Sequence, residues 1–178
     1  LSSFTHGDVT NVTNNTAIDW TIVSGLKVRG DFSVSSDFNR TDIYLSPMSY
    51  SYIRDNDNDV NDPSVLYARG KYTLNNDTNM TLAGKLMLSY TKQFDRHLVQ
   101  TVVGGDLREV NRESDGYVVT GFMDDALDYV SYAVQYEPDS RPSGNESIVR
   151  SAGAYLNANY SYDDRYLVDL TGRIDGSS

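Results

Sequence analysis

The chain has no cysteine among its 178 residues, which removes disulfide frameworks, thiolate metal sites and cysteine nucleophiles at one stroke. Its two histidines, His6 and His97, lie far apart, and no zinc spacing, P-loop or Ser/His/Asp order is present. No run approaches the roughly 18 consecutive apolar residues of a membrane-spanning helix, and none has the pattern of a secretory signal. Basic charge is scarce: 15 Lys and Arg against 25 Asp and Glu leave a net charge of -10. That balance argues against nucleic acid or anionic headgroups as the main partner. Low mean hydropathy does not decide solubility, because strands whose two faces alternate average out.

What is present is alternation. In the C-terminal stretch Arg150 to Ser178, Ala152, Ala154, Leu156, Ala158, Tyr160 and Tyr162 share one face, and Gly153, Asn157, Asn159 and Ser161 the other. After a polar turn at Asp163 and Asp164, Tyr166, Val168, Leu170, Gly172 and Ile174 oppose Arg165, Asp169, Thr171, Arg173 and Asp175. This predicts a β-hairpin with one uncharged face. The stretch from Leu26 to Phe38 is cleaner still: Leu26, Val28, Gly30, Phe32, Val34 and Phe38 on one face, and Lys27, Arg29, Asp31, Ser33, Ser35 and Asp37 on the other. A slip of one residue would turn four charges onto the apolar face, so the register is close to forced.

The wording of these strands resembles a known family. NYSYDDRYLVDLTGRIDGSS (159–178) is similar to the barrel hairpin of SusC/RagA-type TonB-dependent outer-membrane transporters. LSYTKQFDRHLVQTVVGGDL (88–107) and NTAIDWTIVSGLKVRGDFSV (15–34) resemble earlier strand, turn and strand units of that family, in the same order; Ile174 departs from its usual arginine. The resemblance implies an all-β fold: about six antiparallel strands of a 22-stranded transmembrane barrel, with the plug and the remaining strands outside this sequence. It implies a multi-pass protein of the Gram-negative outer membrane, active uptake of oligosaccharides or peptides, a SusD-like surface lipoprotein over the barrel, and TonB acting through the plug. It implies no cofactor and no enzyme activity.

The connections have a rhythm of their own. They are expected short at 23–25, long at about 39–79, short at 95–96, long at about 113–147 and short at 163–164. Short periplasmic turns alternating with longer outer loops are a property of bacterial barrels. Residues 1–13 read as the tail of an outer loop, 66–74 as a strand within the first long connection, and Met123 to Val134 as a short helix.

Candidate sites follow from the faces. Lys27, Arg29, Asp31, Lys85, Asp106, Arg108, Asn157, Asn159, Asp169 and Arg173 form the expected lumen-facing set, able to hold a plug or a hydrated solute. Tyr44, Tyr50, Tyr52, Tyr129, Tyr132 and Tyr136 are expected in the long loops, where they would stack on sugar rings or pack on a partner protein. The acidic run Asp55, Asp57, Asp59 and Asp62 invites calcium, but Val60 and Leu66 stand where an EF-hand loop needs Gly and Glu, so a solvated loop tip is the plainer reading. His97, beside a turn, is expected to make a structural hydrogen bond. The rival architecture is a soluble, secreted β-sandwich that binds glycans through its tyrosine-rich loops.

Overall fold

A computed structural model describes residues 3–54 and 62–178. It contains one antiparallel sheet in the order β1-β2-β3-β4-β6-β7. The long strands are β1 (Phe4–Val23), β2 (Leu26–Leu45), β3 (Lys71–Phe94), β4 (His97–Thr120), β6 (Ser143–Tyr162) and β7 (Tyr166–Ser177). A two-residue strand, β5 (Gln135–Tyr136), pairs with the end of β4. Proline explains part of this length: Pro47, Pro63, Pro138 and Pro142 all lie between long strands, so none removes a ladder donor from them. The sandwich expectation fails here, since no second sheet stacks on the first among the described residues.

Several boundaries move. Residues 4–13 belong to β1 instead of a loop tail, and residues 39–45, 75–79, 113–120 and 143–147, expected in long connections, are strand. The expected strand at 66–74 is present from Lys71, where β3 begins, but its first residues belong to a helix, α2 (Pro63–Ala68), which follows α1 (Tyr50–Arg54). The cause is local: the Asp62 carboxylate accepts from Ser64 N at 2.8 Å, and Pro63 pre-sets the first turn. The helix expected over Met123 to Val134 does not form. Asp124 bonds Ala126 N at 2.8 Å in an Asx turn, and Val134 N reaches Thr120 O at 3.0 Å, drawing the chain towards β5; only a 3-10 turn at Val130–Tyr132 remains.

The chain divides into two compact units. One, Leu1–Asn11, Asp37–Asn79 and Arg112–Glu146, carries the long connections. Its core is Tyr44, Tyr72, Leu74, Val119 and Phe122. Tyr44, Tyr72 and Leu74 have even numbers on β2 and β3 and share a strand face, and Phe122 packs edge-on against Tyr44 with ring centroids 5.2 Å apart. Gly70, at φ +68°, lets the chain pass beneath that ring, for a Cβ there would stand 2.7 Å from Phe122 Cβ.

The other unit, Val12–Ser36, Met80–Asn111 and Ser147–Ser178, carries the short turns. Gly25, at φ +87°, closes the first, with its carbonyl bonded to Thr91 N at 2.7 Å. The last turn is one residue longer than the sequence suggested: Tyr162 pairs with Tyr166, and Asp163 and Asp164 both take positive φ. Here the large apolar side chains are exposed along one face, among them Trp20, Phe32, Leu88, Leu107, Leu170 and Ile174.

Candidate functional site

The polar face of the turn-bearing unit follows from strand parity. Odd residues of β1 and β2 meet across the ladder: Thr13 with Ser35 at 2.9 Å, Asn15 with Ser33 at 2.6 Å, and Asp19 with Arg29 at 3.4 Å. Arg29 also holds Asp31 at 3.0 Å. On the next strands Arg173 bridges Asp106 at 3.1 Å and Asp175 at 2.6 Å, Asn157 donates to Thr171 at 2.9 Å, and Asn159 donates to Asn157 at 3.0 Å. Arg29, Asp31, Lys85, Asp106 and Arg108 line a hollow of about 490 Å³ on this unit. Asp169 faces Asn159 in the β6–β7 register, and Lys27 is exposed, its carbonyl accepting from Ser89 Oγ at 3.5 Å.

Parity also assigns a residue the sequence reading passed over. Tyr155 pairs with Arg173 across β6 and β7 and lies on the polar face. Its ring covers Gly104, where a Cβ would come within 2.3 Å of Tyr155 Cζ. Lys85 Nζ stands 5.6 Å and Arg173 Cζ 5.9 Å from the ring centroid, so two cations meet one aromatic face-former. Its hydroxyl is buried without a hydrogen-bond partner among the described residues. The signal was there: alternation places 155 with 157 and 159, and a glycine pair at 104–105 leaves room for an aromatic across the ladder. Gly153 has a similar part, since a side chain there would collide with Arg173 and Asp175.

At the turn end of the other face, aromatic rings gather. His97 Nδ1 and Tyr160 Oη are 2.7 Å apart, and the His97 ring lies 5.2 Å from Phe94 and 4.9 Å from Tyr162. Tyr162 stacks on Tyr166 at 6.4 Å. The expected hydrogen bond of His97 is therefore present. Arg96 and Asp163 tie neighbouring turns, with Asp163 N donating to Arg96 O at 2.8 Å.

In the loop-bearing unit Asp42 is buried, accepts from Arg40 Nε at 2.9 Å and from Tyr72 Oη at 2.8 Å, and keeps its charge. Burial opposes that charge, but the Arg40 and Tyr72 hydrogen bonds outweigh it and hold the carboxyl below its ordinary range. Burial, then the bond to Asp42, pushes Tyr72 up to about 12. Burial, then the charges of Asp125, Asp128 and Asp124, pushes Tyr44 up to about 12 as well. Tyr44 is thus a core residue of β2, 1% exposed, and offers no ring to a ligand. Of the other candidate tyrosines, Tyr50, Tyr129, Tyr132 and Tyr136 are exposed and Tyr52 is half-buried. The calcium candidates Asp55, Asp57 and Asp59 lie outside the described residues; Asp62 is occupied in capping α2.

No protein-family model matches the chain, and no curated protein does. Solved structures do. The RagAB peptide transporter matches over 98% of this chain with TM-score 0.81 and 18% identity. The RagAB peptide importer in its closed-closed state matches over 99% with TM-score 0.82 and 17% identity. The siderophore receptor PiuA from Acinetobacter baumannii matches over 99% with TM-score 0.54 and 16% identity. The chain spans 18% of the length of the RagAB chains and 26% of PiuA. The fold of a SusC/RagA-type barrel segment, which the wording of the strands implied, is the fold observed.

Proposed function

We propose that this chain is part of the barrel wall of a TonB-dependent outer-membrane transporter of the SusC/RagA type. The observation that carries the reading is the segregation of faces in the turn-bearing unit. Large apolar side chains are exposed on one side and end in an aromatic belt beside the short turns, while ion pairs and amides occupy the other. A lipid-facing band bounded by aromatic girdles, with a polar interior, is how a membrane barrel meets its two solvents. The likeness to RagAB and PiuA supports it.

In this reading the short turns are periplasmic, the long connections extracellular, and the Arg29–Asp31 and Arg173–Asp106 pairs face the lumen, where they meet the plug or a passing solute. The exposed tyrosines Tyr50, Tyr129, Tyr132 and Tyr136 face outward to a SusD-like lipoprotein or to substrate. The cargo is an oligosaccharide or peptide; peptides are what the RagAB structures are described as carrying. Energy comes from TonB through a plug domain, and no residue of this chain does covalent chemistry.

Uptake of labelled oligopeptides and oligosaccharides by cells with and without the gene tests this. Uptake should be lost on deletion and on collapse of the proton gradient. Uptake indifferent to both would contradict the proposal.

A further inference from the structure

The hollow of about 490 Å³ on the polar face of the turn-bearing unit is defined by which of its charges are paired. Five charged side chains line it, Arg29, Lys85 and Arg108 against Asp31 and Asp106. Both carboxylates are engaged already. Asp31 accepts from Arg29 Nε at 3.1 Å and from its Nη2 at 3.0 Å, and Asp106 accepts from Arg173 Nη2 at 3.1 Å. Lys85 and Arg108 are exposed and make no ion pair among the described residues. In a chain of net charge -10, two cations left over in one hollow run against the general balance.

Register explains why they stay free. The Thr91 N to Gly25 O contact sets Lys85 beside Asp31 on β2, and the turn at Asp95 and Arg96 sets it beside Asp106 on β4. Lys85 therefore stands between two carboxylates that arginines hold, and its Nζ lies 5.6 Å from the centroid of the Tyr155 ring. Arg108 stands two residues further along β4, towards its loop end at Thr120. The same turn sets it beside Ala83, and the Glu109–Arg150 pair, at 2.6 Å on the opposite face, sets it beside Ser151. Neither neighbour offers a charge. The volume falls within the range of sites that take a small molecule, about 300 to 1,000 Å³, which favours a solute over a single side chain of a plug.

Resting on the transport reading above, we propose that this hollow is a subsite for a carboxylate of the cargo, and that the cargo class is acidic oligopeptide. The Arg108 guanidinium offers a carboxylate two parallel N–H donors, and the Lys85 ammonium offers another from the neighbouring row. Arg29 and Arg173 neutralise Asp31 and Asp106, so the two free cations decide the sign of the hollow. A side-chain amide of the same shape keeps the hydrogen bonds but loses their assistance by charge.

The test is calorimetric titration of the full transporter, purified in mild detergent, with two oligopeptides blocked at both ends and alike except for Glu or Gln at their central positions. Wild type should bind the Glu peptide about tenfold more tightly, the size of one charge-assisted hydrogen bond. Arg108→Gln should cut that preference to about twofold, and Lys85→Gln should cut it by a smaller factor. Arg108→Glu should turn the preference towards the same peptide with Lys in place of Glu, a reversal that misfolding does not give. Binding of neither peptide, or equal binding of both, by wild type would overturn the subsite and leave the transport reading standing. A fall in affinity for both peptides at an unchanged ratio in Arg108→Gln would place the partner carboxylate on the plug and overturn the cargo assignment. Peptide uptake that survives deletion of the gene would overturn the transport reading and the subsite with it.

Discussion

The two units of the chain are built on opposite plans. Of the buried hydrophobic residues among those described, Tyr44, Tyr72, Leu74, Val119 and Phe122 belong to the loop-bearing unit and only Val110 to the turn-bearing one. The loop-bearing unit buries aromatics under its connections and pairs its buried Asp42 internally, as a water-soluble domain does. The turn-bearing unit leaves Trp20, Leu88, Leu107 and Ile174 bare and spends its polar residues on one another. On the proposed membrane reading, the same pleated backbone serves two solvents, and only the choice of side chain on each face differs.

The comparison breaks most sharply where a buried ring is removed from one plan, and next where a charge is placed on the other. Phe122→Ala should have the largest effect, about 3 to 5 kcal/mol confined to the loop-bearing unit, because the side chain is almost fully buried. Hydrogen exchange should speed at Tyr72 and Leu74 and stay unchanged at Leu88 and Val103. Leu88→Arg, on the exposed apolar face about midway between the aromatic belt and the Glu109–Arg150 row, should cost about 2 to 4 kcal/mol in lipid, Val34→Arg about 0 to 1, and Ser89→Arg on the polar face less still. Urea unfolding of the three variants in vesicles checks the order. Equal costs would remove the distinction between the faces.

Gly104→Val should destabilise the turn-bearing unit by about 1 to 3 kcal/mol by forcing Tyr155 aside. Tyr155→Phe should change stability by less than about 0.5 kcal/mol, since the hydroxyl has no partner among the described residues. Denaturant midpoints of both variants decide whether the ring or its hydroxyl matters.

Alkaline titration separates the units again. Unfolded tyrosine loses its proton near 10, whereas folded Tyr44 and Tyr72 hold theirs to about 12. Their stabilisation is complete below pH 10 and is lost as pH climbs towards 12. Asp42 runs the other way: with its folded carboxyl below the ordinary range, its contribution is present above that range and fades as pH falls through the lower folded value. Burial raises Tyr52 and Tyr117 as well, so tyrosinate absorbance should show a late-titrating set in the wild type, Tyr44 and Tyr72 among it, and one group fewer in Tyr72→Phe.

Much of the turn-bearing unit was legible in the sequence because its faces contrast. From Leu26 to Val34 each step swaps an apolar or glycine residue for a polar one, and the register followed without structure. The strand extensions at 75–79 and 113–120 were hidden for the converse reason: in NNDTN or ESDG both faces are polar, so period two leaves no mark. Tyr44 was placed in a loop through the same loss of contrast, although it ends β2 and fills the core. Tyr155 was missed because an aromatic counts as apolar by type, while its parity put it with Asn157 and Asn159. The helix expected at Met123 to Val134 had the right apolar spacing, but the Asx turn at Asp124 and the pairing of β5 claimed its backbone.

The central claim is that the exposed face of the turn-bearing unit is made for lipid, and Trp20 can report on it. It is the only tryptophan of the chain, lies on that face, and is 64% exposed. The measurement is its fluorescence in vesicles carrying bromine at mid-chain positions, taken as the difference between wild type and Trp20→Phe. Strong quenching by the brominated lipid with none by aqueous iodide is the predicted result. Quenching by iodide with indifference to bromine would place this face in water and contradict the account.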